Sequence, residues 1–194
     1  MARAQFCATL VFAACLLWAG STVAAPATSP ADVSKIYGSR VVNNPLAKAP
    51  LTGDFDGDGV PDTAYLVTIK PASPQVSFAK DVTLVENLFD NPSTPIGGHG
   101  EKLAVAIVLG KDERKFLLTA YGNGDSGFFD SPIWGQAPLP IEVAKHGSKD
   151  FEYFAQGEKR IKNDVIGVFT EAGINTAVYW DGKTFAHYWP AEEP

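Results

Sequence analysis

The sequence predicts a mostly β, single-domain protein, either an antiparallel sandwich or an open barrel with long loops. Three observations carry that expectation. Short runs rich in Val, Ile, Thr, Tyr and Phe recur along the chain, bounded by Gly, Pro, Asn or Asp. Two such runs flank Asp181-Gly182, where glycine's tolerance of positive φ suits a tight hairpin. Helical periodicity, by contrast, is weak.

The elements follow in chain order. Met1-Ala2-Arg3 is a short basic lead, Phe6 to Gly20 is an apolar run, and "STVAA" supplies small residues. That is the pattern of a secretory signal peptide over residues 1–24, with Thr22 and Ala24 at the small-residue positions before the cut. The alternatives are an uncleaved N-terminal anchor and, after "FAAC", lipidation at Cys15. Residues 25–32 read as a flexible, proline-bearing lead-in, and 33–194 as one β-rich domain. "TAYLVTI" (63–69) is a strand. "KDVTLVENLF" (80–89) has apolar residues at 82, 85, 88 and 89, which fits one amphipathic helix or a strand plus a turn. "DNPSTPIGGHGE" (90–101) is a loop. "LAVAIVLG" (103–110) and "KFLLTAYG" (115–122), joined by "KDER", predict an antiparallel hairpin. Pro132, Pro138 and Pro140 break up the next segment, and "DVIGVFT" (164–170) is a further strand. "NTAVYW-DG-KTFAHYW" (175–189) predicts a hairpin closed by a type I′ turn. Val178 and Trp180 share a face of one arm, and Phe185 and His187 a face of the other.

Composition narrows the function. Cys7 and Cys15 both lie in the signal, so the mature chain enters an oxidising compartment without disulfides. Roughly 170 remaining residues suffice to bury a core without them. Cleavage removes Arg3 and no acid, taking the net charge from −6 to −7. An acidic chain without a basic cluster argues against nucleic acid and anionic membranes as partners. Periplasm or extracellular space is the expected location, with no membrane span after cleavage.

The stretch "TGDFDGDGVPDTAYLV" (52–67) places four aspartates in nine positions ahead of an apolar strand. Carboxylates at loop positions 1, 3, 5 and 9, with glycine at position 6, fold back around one hard cation. Asp54, Asp56 and Asp58 point inward, Gly59 allows the sharp turn, the Val60 carbonyl adds a backbone oxygen, and Asp62 closes the shell. All-oxygen donors in a compact loop suit Ca²⁺. Tyr65 stands where an EF-hand carries its bidentate Glu, and a strand rather than a helix follows. The competing reading is a solvated acidic turn that binds nothing. The stretch resembles the calcium loops of FG-GAP and VCBS repeat proteins. The resemblance covers about 16 residues and implies a stabilising metal with no chemistry of its own. A full propeller of that kind would repeat the loop several times, and the chain has one.

Other candidates carry less. "GDSG" (124–127) resembles a serine-protease nucleophile motif, but the only preceding histidine, His99, lacks the expected surroundings. His99, His146 and His187 show no metal-ligand spacing. The aromatic group Tyr179, Trp180, Phe185, Tyr188 and Trp189 reads as a binding platform or, for about half of it, as core. "YGNGDSGFFDSPIW" followed by "DVIGV…VYWDGKTF" resembles small periplasmic proteins of Gram-negative bacteria, some related in fold to lysozyme inhibitors. Those inhibitors insert a Ser-Gly-x-x-Tyr loop into the lysozyme cleft. Ser126 and Gly127 match that motif, and Asp130 stands in place of the tyrosine.

The expected function is therefore a calcium-binding, exported, non-enzymatic module that binds a protein, with a lysozyme-type enzyme as the implied target. Asp125, Ser126, Gly127 and Asp130 are the candidate contact residues. A cell-wall hydrolase without a recognisable motif and a structural or adhesion module are the alternatives.

Overall fold

The longest strand explains the rest of the architecture. From Asp62 to Ile69 the side chains alternate between two apolar faces, so each face needs its own cover. The computed structural model describes residues 32–45, 47, 49–71, 73–85, 102–119, 141–168 and 176–188. The elements in order are α1 (Val33–Tyr37), β1 (Val41–Asn43), β2 (Leu51–Gly53), β3 (Asp62–Ile69), β4 (Val82–Val85), β5 (Lys102–Val108), β6 (Lys115–Leu118), β7 (Ile141–Ala144), α2 (Lys149–Ala155), β8 (Val165–Val168), β9 (Thr176–Trp180) and β10 (Phe185–Tyr188).

They form two sheets that do not close into a barrel. The first runs β1-β3-β5-β6-β4, and β2 also pairs with β3. β1 meets β3 at Val67–Ile69 and β2 meets it at Asp62–Ala64, so the two short strands lie end to end along one edge. The second sheet is an antiparallel run, β10-β9-β8-β7. Of the two expected architectures, the sandwich is the one observed. Its inter-sheet core takes Ala64, Leu66, Val105, Ile107, Phe116 and Leu118 from the first sheet and Ile166, Val168, Val178, Trp180 and Phe185 from the second. Phe116 meets Trp180 and Phe185 edge to face, with ring centroids 5.5 and 5.3 Å apart.

Each outer face carries a short helix. α1 sets Val33 and Tyr37 against Val67, Ile69, Ala104 and Ala106 of the first sheet. α2 sets Phe151, Phe154 and Ala155 against Val165, Ala177 and Tyr179 of the second. Both begin on side-chain caps: Asp32 accepts from the Ser34 N–H, and Ser148 from the Phe151 N–H.

The expected β5–β6 hairpin is present, antiparallel, with Val108 opposite Lys115. Of the two readings of 80–89, the described part is a strand, β4, while residues 86–101 lie outside the described residues. β4 pairs with β6 in parallel, because β6 inserts between β4 and the antiparallel β5. The β9–β10 hairpin is present in the expected facing, but its turn differs. Trp180 pairs with Phe185 and Asp181 N–H donates to the Thr184 carbonyl at 3.0 Å, so Asp181–Thr184 form a closed four-residue connection in place of a type I′ turn centred on Asp181-Gly182. The Asp181 carboxylate accepts from the N–H groups of Lys183 and Thr184, each at 2.8 Å, and so organises the longer loop. Trp180 and Phe185 are core and Tyr179 is buried under α2, so the described part of that aromatic group packs rather than forming an open platform. Trp189 lies outside the described residues.

Candidate metal centre

The aspartates lie on the link between β2 and β3, at one end of the sandwich. The sequence alternates Asp-Phe-Asp there for a physical reason. Phe55 is buried in the inter-sheet core, which turns Asp54 and Asp56 away from it. Asp54, Asp56 and Asp58 then converge, each offering one carboxylate oxygen within 4.8 Å of the others. Ca²⁺ takes oxygens at about 2.3–2.6 Å, so donors on opposite sides of one ion stand up to about 5 Å apart. The three carboxylates fit that dimension and that donor chemistry.

The backbone is folded around them by the carboxylates themselves. Asp54 accepts from the N–H groups of Gly57 (3.0 Å) and Gly59 (3.1 Å). Asp56 accepts from Asp58 N–H, and Asp58 from Val60 N–H. A carboxylate has about four acceptor positions, so these bonds leave capacity for a cation. Gly59 has φ +84°, a conformation that costs a glycine little. Val60, expected to lend its carbonyl, takes part here through that N–H and has an exposed side chain.

Asp62 plays a different part from its neighbours. It is completely buried at the start of β3. One oxygen accepts from Phe55 N–H (2.7 Å) and Asp56 N–H (3.3 Å), and the other from Gly110 N–H (2.8 Å). It stands apart from the three converging carboxylates and anchors the loop that carries them.

Electrostatics separate the roles further. Burial pushes the Asp56 carboxyl above its ordinary 3.8, and the charges of Asp58 and Asp54 add to that, against the Asp58 N–H and Arg114. Asp62 is also raised, by burial first, although the Gly110 and Phe55 N–H groups pull the other way.

Several partners of the loop had no local signal in the sequence. Asp164, immediately before β8, accepts from Asp54 N–H at 2.9 Å, from His146 N–H at 2.8 Å and from the Lys145 ammonium at 2.9 Å. Burial opposes its ionisation, yet these donors outweigh it and hold the carboxyl below 3.8. Asn163 donates its side-chain amide to the Phe55 carbonyl. Together they staple the aspartate loop to the second sheet. Arg114 and Lys111, on the link between β5 and β6, flank the cluster at 3.9 Å from Asp56 and 4.0 Å from Asp58.

Of the other candidates, His146 packs its ring 4.8 Å from that of Phe151, and His187 lies on β10. His99 and the expected contact residues Asp125, Ser126, Gly127 and Asp130 lie outside the described residues, as do residues 1–31. Among the described residues, no helix is long and apolar enough to cross a membrane.

Fold and site together define a two-sheet β protein with a carboxylate loop at one end. No protein-family model, curated protein or solved structure matches the chain.

Proposed function

We propose that the protein is an exported calcium-binding β module that acts by binding a protein partner rather than by catalysis. The observation that carries the calcium reading is the convergence of Asp54, Asp56 and Asp58 to within 4.8 Å. Calcium held there offsets their mutual repulsion and ties the loop to β3. Val60 and the buried Asp62 complete the proposed set, the latter through the loop backbone it anchors. Titration calorimetry should detect calcium binding, within the millimolar range that extracellular sites use. Heat-silent titration at millimolar calcium, with a melting temperature indifferent to chelator, would reduce the aspartates to a solvated turn.

The proposed partner surface is the segment from Tyr121 to Trp134, carrying Asp125, Ser126, Gly127 and Asp130. Its support is the resemblance to lysozyme inhibitors and the complementarity of an acidic chain to a basic enzyme. The purified protein should slow lysis of cell walls by a lysozyme-type enzyme. Replacing Ser126 and Asp130 together should weaken that effect. Unchanged lysis at micromolar protein removes lysozyme as the target. The corresponding location is the periplasm or the extracellular space, and N-terminal sequencing should find a mature chain starting at Ala25.

A further inference from the structure

We propose that Arg114 and Lys111 are built-in counter-cations of the aspartate loop, competing with calcium and holding the site's affinity down. The inference rests on the calcium reading and assigns its regulation. The loop between β5 and β6 is docked firmly against the aspartates. Gly110 donates its N–H to Asp62 at 2.8 Å. A side chain at position 110 would start 2.3 Å from the Pro61 carbonyl oxygen, so only glycine permits this approach. Leu109 N–H to Arg114 C=O (2.9 Å) and Glu113 N–H to Leu109 C=O (3.1 Å) close the loop on itself.

Within that frame Arg114 is half exposed but positioned by its neighbours. Its guanidinium lies 5.2 Å from the Trp180 ring centroid and 5.9 Å from that of Phe116, and pairs with Asp112. Held there, it faces Asp56, whose side chain is only 8% exposed. Rings and carboxylate fix a planar, permanently charged group where a divalent cation would be repelled by it. Lys111 repeats the arrangement more loosely at Asp58, with its side chain 67% exposed. Arg114, shared with Asp112, and the exposed Lys111 offset part of the converging charge before calcium binds. They therefore favour the folded loop without metal and disfavour the loop with it.

That opposition of signs is the test. In wild-type protein and variants, calcium affinity is measured by calorimetry at fixed low ionic strength, and melting is measured in chelator. Arg114→Gln should melt lower in chelator yet bind calcium about three- to tenfold more tightly, the scale of one unit charge acting on a divalent ion through largely aqueous surroundings. Arg114→Lys keeps the charge and should stay near the wild-type affinity. Lys111→Gln, at an exposed position, should tighten binding by about twofold, less than Arg114→Gln because of solvent screening. If Arg114→Gln does not fold in chelator, Lys111→Gln decides alone. Wild-type binding with unchanged or weakened affinity in the glutamine variants overturns the counter-cation role and leaves the calcium reading standing. Absence of binding by the wild type overturns both.

Discussion

Two loops of this protein start from an aspartate that caps its own turn, and they make opposite use of it. In the link between β9 and β10, Asp181 accepts from two N–H groups and is exposed to solvent. In the link between β2 and β3, Asp54 does the same for Gly57 and Gly59, but Asp56 and Asp58 converge on it and Asp62 is buried beneath. Capping explains one carboxylate per turn. Asp56 and Asp58 each accept from one N–H group as well, but capping alone does not call for the three carboxylates to face one another. That convergence is what supports the proposed cation, and the buried fourth carboxylate is what fixes the loop's shape. The substitutions and titrations below break or sharpen that contrast.

The largest effect belongs to the anchor. Asp62→Ala strips the partners from three backbone N–H groups, two of them reached by an oxygen with no solvent access. The Phe55 bond is buried and the other two are partly buried; an unsatisfied buried donor costs about 1–3 kcal/mol, so a loss of about 3 kcal/mol is expected even in chelator. Denaturant unfolding in chelator measures it. A loss below about 1 kcal/mol would mean that Asp62 serves the metal alone and that the bonds to its oxygens stabilise little.

Calcium comes next. Binding to the folded state alone adds RT ln(1 + [Ca²⁺]/Kd), about 2.7 kcal/mol at a hundredfold excess over Kd. Melting temperature should rise with calcium and fall with chelator. Asp58→Ala should abolish that response, because it removes one of the three converging carboxylates and leaves the Asp62 anchor intact. Magnesium should substitute poorly, since it demands near-octahedral geometry and gives up water reluctantly. A calcium response that survives in Asp58→Ala would place the ion elsewhere.

Acid should separate the cluster from its staple. Burial and the neighbouring charges keep a proton on Asp56 above the ordinary carboxylate range. Protons therefore compete with calcium at Asp56, and affinity should fall while pH is still above 3.8. Asp164 is shifted the other way. Its folded value lies below the unfolded one, so its contribution is fully present above 3.8 and is lost only as pH falls through the lower, folded value. Calorimetry and melting across this range should show the calcium response disappearing before the stability attributable to Asp164, using Asp164→Asn as the control. Loss of both together would remove the distinction between cluster and staple.

How much of this was legible follows from the distance between partners in the chain. The aspartate spacing is a nine-residue signal, so the converging trio could be read directly. Its supports could not: Asp164 lies 110 residues from Asp54, and Gly110 lies 48 from Asp62. Spacing proposes Asp62 as the residue that closes the shell, but it carries no information about the Phe55, Asp56 and Gly110 N–H groups that its carboxylate accepts from. A mostly β chain was readable from short apolar, β-branched runs, but the choice between sandwich and open barrel was not, because strands buried on both faces show no alternation that reports how the sheets pack. Both helices escaped because α1 has five residues and α2 seven, too few for a 3.6-residue period to show. Their caps, Asp32 and Ser148, were the available signal. Asp-Gly in the last hairpin fits two turn lengths. The side-chain bonds of Asp181 decide for the longer one, and no periodicity reports them.

The smallest expected effect is the matched control for the whole contrast. Asp181→Ala removes the acceptor for Lys183 and Thr184 N–H at a loop that water already reaches. Solvent replaces those bonds, so the cost should be about 1 kcal/mol, the net value of an ordinary hydrogen bond. The hairpin should survive it, since Trp180 and Phe185 remain locked against Phe116 on the core side. The calcium-induced rise in melting temperature should be unchanged, because no carboxylate of the cluster is touched. The comparison is then between two single aspartate-to-alanine variants in loops of the same sandwich. Asp58→Ala should remove the calcium response, and Asp181→Ala should lower both melting curves equally. If Asp181→Ala also narrowed the gap between the calcium and chelator curves, the ion would be sensing the whole sandwich rather than one loop, and the division of labour between capping and metal binding would fail.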